Sequence, residues 1–140
     1  MAVRLERPPN FDLIVAKFPA AAGENILFAY GDDIFNPSGG DITRPLMEHE
    51  LRHCARQVVH GADQWWADYI AQDGFRYQEE LFAHAAEYVV HLKTRKDRND
   101  RARALQRIAQ RFMLPLYQYP PGVVTLPKVM RDIRWLSEQM

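Results

Sequence analysis

The chain has 140 residues, and its 18 basic and 18 acidic side chains cancel to a formal net charge of zero. Hydrophobic residues at 47% and charged residues at 26% exclude wholesale disorder, and the length suits one domain with its own core. The zero is a sum of opposites: residues 1–92 carry 7 basic and 14 acidic side chains, whereas residues 93–140 carry 11 basic and 4 acidic ones. Cys54 is the only cysteine, so no internal disulfide can form and a reducing compartment is expected. Residues 1–10 hold Arg4, Glu6, Arg7, Pro8 and Pro9 and lack the apolar centre of a signal peptide. No apolar run approaches the ~20 residues of a membrane helix. The expectation is a cytoplasmic protein without a membrane partner.

In chain order, residues 11–18 (F-D-L-I-V-A-K-F) and 26–30 (I-L-F-A-Y) are short apolar and aromatic runs that predict two strands, with a third short strand near Ile34. The N-P-S-G-G-D cluster at 36–41 predicts a turn. A helix is predicted from an N-cap at Thr43, with Pro45 in its first turn, to about His60, where Gly61 stops it. A short helix over 63–70 is predicted next, capped by Asp63, followed by a turn at 72–74. Leu81, Ala85, Tyr88 and Leu92 recur at helical spacing and predict a long helix over 76–92. Residues 93–100 read as a charged linker. Leu105, Ile108, Ala109 and Phe112 predict a helix over about 101–113, a Pro-rich loop follows, and a last helix starts near Pro127. The class expected is α+β and mostly helical. It comprises a single domain over 1–140, with a core in 1–92 that carries the chemistry and a basic helical extension in 93–140.

The chemistry is concentrated in His49-Glu50-Leu51-Arg52-His53. Residues i and i+4 share a helix face, so the two imidazoles can converge on one ion, and neutral imidazole suits Zn²⁺. Glu50 lies beside that face, where its carboxylate can take a proton from a water molecule activated by the metal. A catalytic zinc needs a third protein ligand. The metzincin extension would place Gly at 56 and His at 59, but Arg56 and Val59 stand there, and His60 comes one residue late.

The later segment Arg76-Tyr77-Gln78-Glu79-Glu80-Leu81-Phe82-Ala83-His84 is the better source of a ligand. With it the sequence resembles gluzincin-type zinc peptidases and, more narrowly, small phage and bacterial proteins of the minimal H-E-x-x-H type. The shared features over about residues 26–92 are Gln57, Gly61, Trp65-Trp66, Tyr69, Phe75-Arg76, Glu80 and Ala83. The resemblance implies a zincin-like fold: a small N-terminal sheet packed on the motif helix and on a second ligand helix. It implies Zn²⁺ held by His49, His53 and Glu80, with Glu79 or His84 as the alternative third ligand. It also implies an edge strand at Ile26, Leu27, Phe28, Ala29 and Tyr30 on which an extended peptide or protein substrate pairs. Larger gluzincins often carry an Asp four residues after the ligand Glu to orient the first histidine, whereas this chain has His84 there.

Several features stay open at this level. Tyr69, Arg76, Tyr77, His84 and Tyr88 are candidates to stabilise an oxyanion. A di-iron bundle would need a second Glu-x-x-His pair, but Glu80/His84 and Glu87/His91 are one residue too far apart. Arg103, Arg107 and Arg111 form a positive stripe that can be a solvated face, a dock for the acidic half or a neighbouring subunit, or a contact for nucleic acid. Nucleic acid is the least supported, because no binding motif accompanies the charge. The function expected is a zinc metallopeptidase. The alternative is a phage-type virion or assembly protein on the same fold, partnered by other phage structural proteins or by itself and found in the host cytoplasm or the virion.

Overall fold

A computed structural model describes all 140 residues. Three short strands, β1 (Val3–Arg4), β2 (Phe28–Tyr30) and β3 (Asp33–Phe35), form a sheet of order β1-β3-β2, with β1 parallel and β2 antiparallel to β3. Six helices complete the fold: α1 (Phe11–Lys17), α2 (Arg44–His60), α3 (Ala62–Ala71), α4 (Asp73–Thr94), α5 (Arg98–Gln110) and α6 (Leu126–Glu138). The fold is mostly helical with a small sheet, consistent with α+β. No helix is long and apolar enough to cross a membrane.

Residues 11–18, expected as a strand, form α1 instead. Ile14 and Phe18, four apart, are both buried, whereas Leu13 is 67% exposed. The run is therefore apolar along one helical face, and a short apolar run cannot be assigned by periodicity alone. β1 has no apolar signature and is formed by pairing, with Ile34 N–H donating to the Ala2 carbonyl and Asn36 N–H to that of Arg4. The predicted turn at 72–74 is the first turn of α4, and the linker at 93–100 ends early because Asp97 caps α5 by accepting from Asn99 N–H at 2.9 Å. Gly61 ends α2 with a φ of 90°, a conformation side chains resist, and also starts α3. Asp63 does not cap α3. It accepts the Tyr30 hydroxyl.

α4 is the axis of the molecule. One side packs on α2, and Ala83 and Ala86 of α4 are buried. The other side supplies Leu81, Ala85 and Tyr88 to a core shared with Leu105, Ile108 and Phe112 and with Val129 and Ile133 of α6. A second core joins α1, β2 and α3 through Ile14, Phe18, Phe28, Trp65, Trp66 and Tyr69. The sheet sits on α2 through Ala29, Ile34 and Cys54.

Gln57 ties sheet to helix. Its amide nitrogen donates to the Ala29 carbonyl at 2.9 Å and its oxygen accepts from Gly31 N–H at 2.7 Å. Gln57→Leu removes both bonds and is expected to cost ~1–2 kcal/mol, read as a lower urea midpoint with an unchanged m-value.

Candidate metal centre

Helical geometry brings His49 and His53 to one face of α2, with ring centroids 4.9 Å apart, and the crossing of α4 sets Glu80 against them. His53 Nε2 lies 2.8 Å and His49 Nε2 3.6 Å from the same Glu80 oxygen. A tetrahedral zinc site with bonds near 2.0–2.1 Å places its ligand atoms about 3.3 Å apart, so these separations bracket what a zinc ion requires. All three residues are buried, and the second oxygen of Glu80 has no hydrogen-bond partner. A carboxylate with an unpaired oxygen between two imidazoles fits a divalent cation by donor type as well as by spacing. Glu50 is beside them, one oxygen 3.9 Å from His49 Nε2.

The neighbouring carboxylate Glu79 is committed elsewhere. Both its oxygens accept from Arg56 Nε at 3.1 Å, and one accepts from Trp65 Nε1 at 2.7 Å. It pins α3 to α4. Glu79→Ala leaves the buried indole N–H unpaired and is expected to cost ~1–3 kcal/mol in urea unfolding. Zinc stoichiometry should not change, which separates its role from that of Glu80.

His49 is oriented from its far side. Its Nδ1 lies 2.9 Å from Glu87, and Glu87 in turn accepts from Arg111 at 2.7 Å on both oxygens. Residue 84, where the resemblance expects an aspartate, is His84, and the carboxylate on His49 Nδ1 is that of Glu87, seven residues after Glu80. Arg111–Glu87 is also the one ion pair that joins the basic half of the chain to the acidic half. His84 Nδ1 donates to the Glu80 carbonyl at 2.6 Å, and its ring stacks edge-on against His49 at 4.5 Å. That bond fixes the proton on Nδ1 and leaves Nε2 buried without a partner. His49, His84 and Glu87 form a second group whose ligand atoms lie within 4.8 Å of one another. Arg111 already neutralises Glu87 there, so the set with Glu80 is the better cation site.

The electrostatics follow from burial and these partners. Burial opposes a charge on His49, but its bonds to Glu80 and Glu87 outweigh that and hold its pKa up at about 10. Burial likewise opposes ionisation of Glu80, but His53 and His49 pull it well below the usual carboxylate range. Glu87 falls to about 2 because His49 and Arg111 outweigh its burial. Burial, reinforced by the charge of His49, pushes His84 down to about 3. Burial raises Glu50.

The oxyanion candidates scatter. Arg76 is fully buried and spends its donors on the carbonyls of Tyr117 and Tyr69 and on Asp73. Tyr77 donates to Asp132 of α6 at 2.9 Å, and Tyr88 belongs to the core behind α4. Only His84 and Tyr69 lie near the cluster, His84 against His49 and Tyr69 in the wall of the adjoining cavity. Tyr117, from the Pro-rich loop, joins Tyr69 in that wall. The loop has no periodicity that could have marked it.

The strand expected at residues 26–30 is ordered as β2 over Phe28–Tyr30 alone, at the sheet edge. Ile34 faces β1 with its N–H, so Ala29, its partner across the β2–β3 pair, turns its carbonyl outwards. That carbonyl accepts from Gln57 and, at 3.0 Å, from Trp66 Nε1. Comparison of the chain with protein-family models, with curated proteins and with solved structures finds no match in any of the three.

Proposed function

We propose that this chain is a zinc-dependent hydrolase acting on peptide bonds, with a gluzincin-like arrangement of ligands. The observation that carries the reading is the convergence of His49, His53 and Glu80 on one buried point with Glu50 beside it. His49 Nε2, His53 Nε2 and a Glu80 oxygen would hold the ion. Zn²⁺ bound there would polarise the substrate carbonyl and acidify a water molecule. Glu50 takes the proton from the attacking water as the new C–O bond forms. It then gives that proton to the amide nitrogen as the C–N bond breaks. Glu87 and Arg111 keep His49 in one orientation and tautomer. Tyr117 and Tyr69 line the adjoining cavity, and a hydroxyl from either would donate to the oxyanion at the attacked carbon. The test is zinc content after mild purification and zinc addition: one equivalent is expected in the wild type and none in His53→Ala or Glu80→Ala. A wild type that takes up no zinc ends the reading.

The metal-free cluster also sets a pH dependence. With its pKa near 10, His49 is protonated at neutral pH, and its Nε2 proton must leave before a metal can bind. Zinc uptake at pH 7–8 is therefore expected to release about one proton, and affinity should rise about tenfold per pH unit towards pH 10. Calorimetry in buffers of different ionisation enthalpy reads the proton directly. In the metal-free protein the His49 charge stabilises the fold fully below its ordinary 6.5, and this is lost as pH rises through about 10. Glu87 stabilises above its ordinary 4.5, and this is lost as pH falls through about 2. His84, depressed, already begins to destabilise as pH falls below 6.5. Glu50, raised by burial, adds a loss that begins as pH rises above its ordinary 4.5, so metal-free stability is expected to fall as pH rises from 6.5 to about 10.

A further inference from the structure

Arg111 pairs with the buried Glu87, but the other two arginines of the stripe, Arg103 and Arg107, are exposed on the outer face of α5. α5 packs inwards through Ala104, Leu105, Ile108 and Ala109. Its opposite face consists of Asn99, Ala102, Arg103, Gln106, Arg107 and Gln110, all exposed. No carboxylate lies among them. A solvated helix face typically interleaves both signs of charge three or four residues apart. Here arginines stand among amides, and the small Ala102 leaves room for close approach. The two acids nearest this face are engaged: Asp97 accepts from Asn99 N–H, and Asp100 pairs with Arg103. The corner between α4 and α5 adds Lys93, Lys96 and Arg98, all exposed. Arg101 fixes that corner, donating to the Leu92 carbonyl at 2.8 Å and to the Arg95 carbonyl at 2.6 Å.

The acidic side of a second copy does not match this face. The exposed carboxylates that no hydrogen bond or ion pair engages are Glu6, Asp12, Glu24, Asp41, Glu48 and Glu138, and no helix or strand carries two of them. A row of cations calls for a row of anions, which a nucleic-acid strand presents at regular spacing. We infer that the outer face of α5 and the corner before it bind the phosphate backbone of a nucleic acid. Contacts to phosphate fix position without reading bases, so a motif that reads sequence is not required. The planar fork of arginine suits two phosphate oxygens at once. The inference does not depend on the zinc reading.

The test is fluorescence anisotropy of the full chain with a labelled DNA duplex and a labelled single-stranded RNA, at salt from about 50 to 200 mM. With about four phosphates neutralised, affinity for the duplex is expected to fall about 100-fold over that range. Arg103→Gln/Arg107→Gln should flatten the slope of log affinity against log salt by about 2. The fold should persist, because both side chains are exposed and glutamine suits a helix. Arg131→Gln/Arg134→Gln removes two exposed cations of α6 and should leave affinity and slope unchanged. Salt-dependent binding of either probe that only the α5 variant weakens supports the inference, and the tighter probe names the kind of nucleic acid. Absence of binding at about 50 mM salt, or an equal loss in the α6 variant, overturns it. So does a salt-sensitive dimer in sedimentation that the α5 variant dissolves while neither probe binds, which would assign the face to a second copy.

Discussion

Glu50→Gln is expected to retain one equivalent of zinc and to lower peptide hydrolysis by ~10²–10⁴-fold. The side chain keeps its shape and stays clear of the three ligand atoms, with its nearest oxygen 3.9 Å from His49 Nε2. What is lost is the ability to take a proton. Glu50 is buried, its affinity for protons is raised by that burial, and it lines the apolar cavity together with His49, His53 and Glu80. An amide can neither accept the water proton nor return it to the leaving nitrogen. Loss of zinc in this variant would instead make Glu50 a ligand, and unchanged hydrolysis would place the base elsewhere.

Glu87→Gln is expected to weaken zinc binding by ~10–100-fold while leaving the three ligands in place. Glu87 is buried and binds His49 Nδ1 on one side and Arg111 on the other. Gln can still accept from the imidazole but carries no charge, so His49 becomes a weaker ligand and Arg111 loses its anion. Arg111→Met should move zinc affinity in the same direction. It should also cost ~1–3 kcal/mol of stability, because it leaves the buried carboxylate with one partner fewer. A double-mutant cycle on zinc affinity separates the two effects. Strong non-additivity between Glu87→Gln and Arg111→Met is expected, because Arg111 acts through Glu87.

The motif helix was legible in the sequence because its capping region, its Pro in the first turn, its terminal Gly61 and the i, i+4 histidines all act within one element. α1 was not, since F-D-L-I-V-A-K-F satisfies a strand as well as a helix until Ile14 and Phe18 find a core to face. Glu80 was singled out by the resemblance, and the crossing of α4 with α2 sets its carboxylate against His49 and His53. Glu87 could not, because two further turns along α4 put it on the same face as Glu80, yet only the crossing with α2 brings it to the back of His49. Arg111 was visible as one of three regularly spaced arginines, but its partner lies 24 residues away, and no local pattern distinguishes it from Arg103, which pairs with Asp100 on its own helix. Tyr117 sits in a loop, and its place in the cavity wall depends entirely on how α5 and α6 fold back over α4. The charge division near Lys93 marks neither a structural nor a chemical boundary. The basic part shares the core behind α4, and through Arg111, Leu116 and Tyr117 it reaches the site.

One ion is expected to sit between α2 and α4, and diffraction from zinc-soaked crystals at the zinc edge reads its position. A single anomalous peak is predicted within bonding distance, ~2.0–2.2 Å, of His49 Nε2, His53 Nε2 and a Glu80 oxygen, with Glu79 still on Arg56 and Trp65. A peak elsewhere, or no peak with His53 still hydrogen-bonded to Glu80, would contradict it.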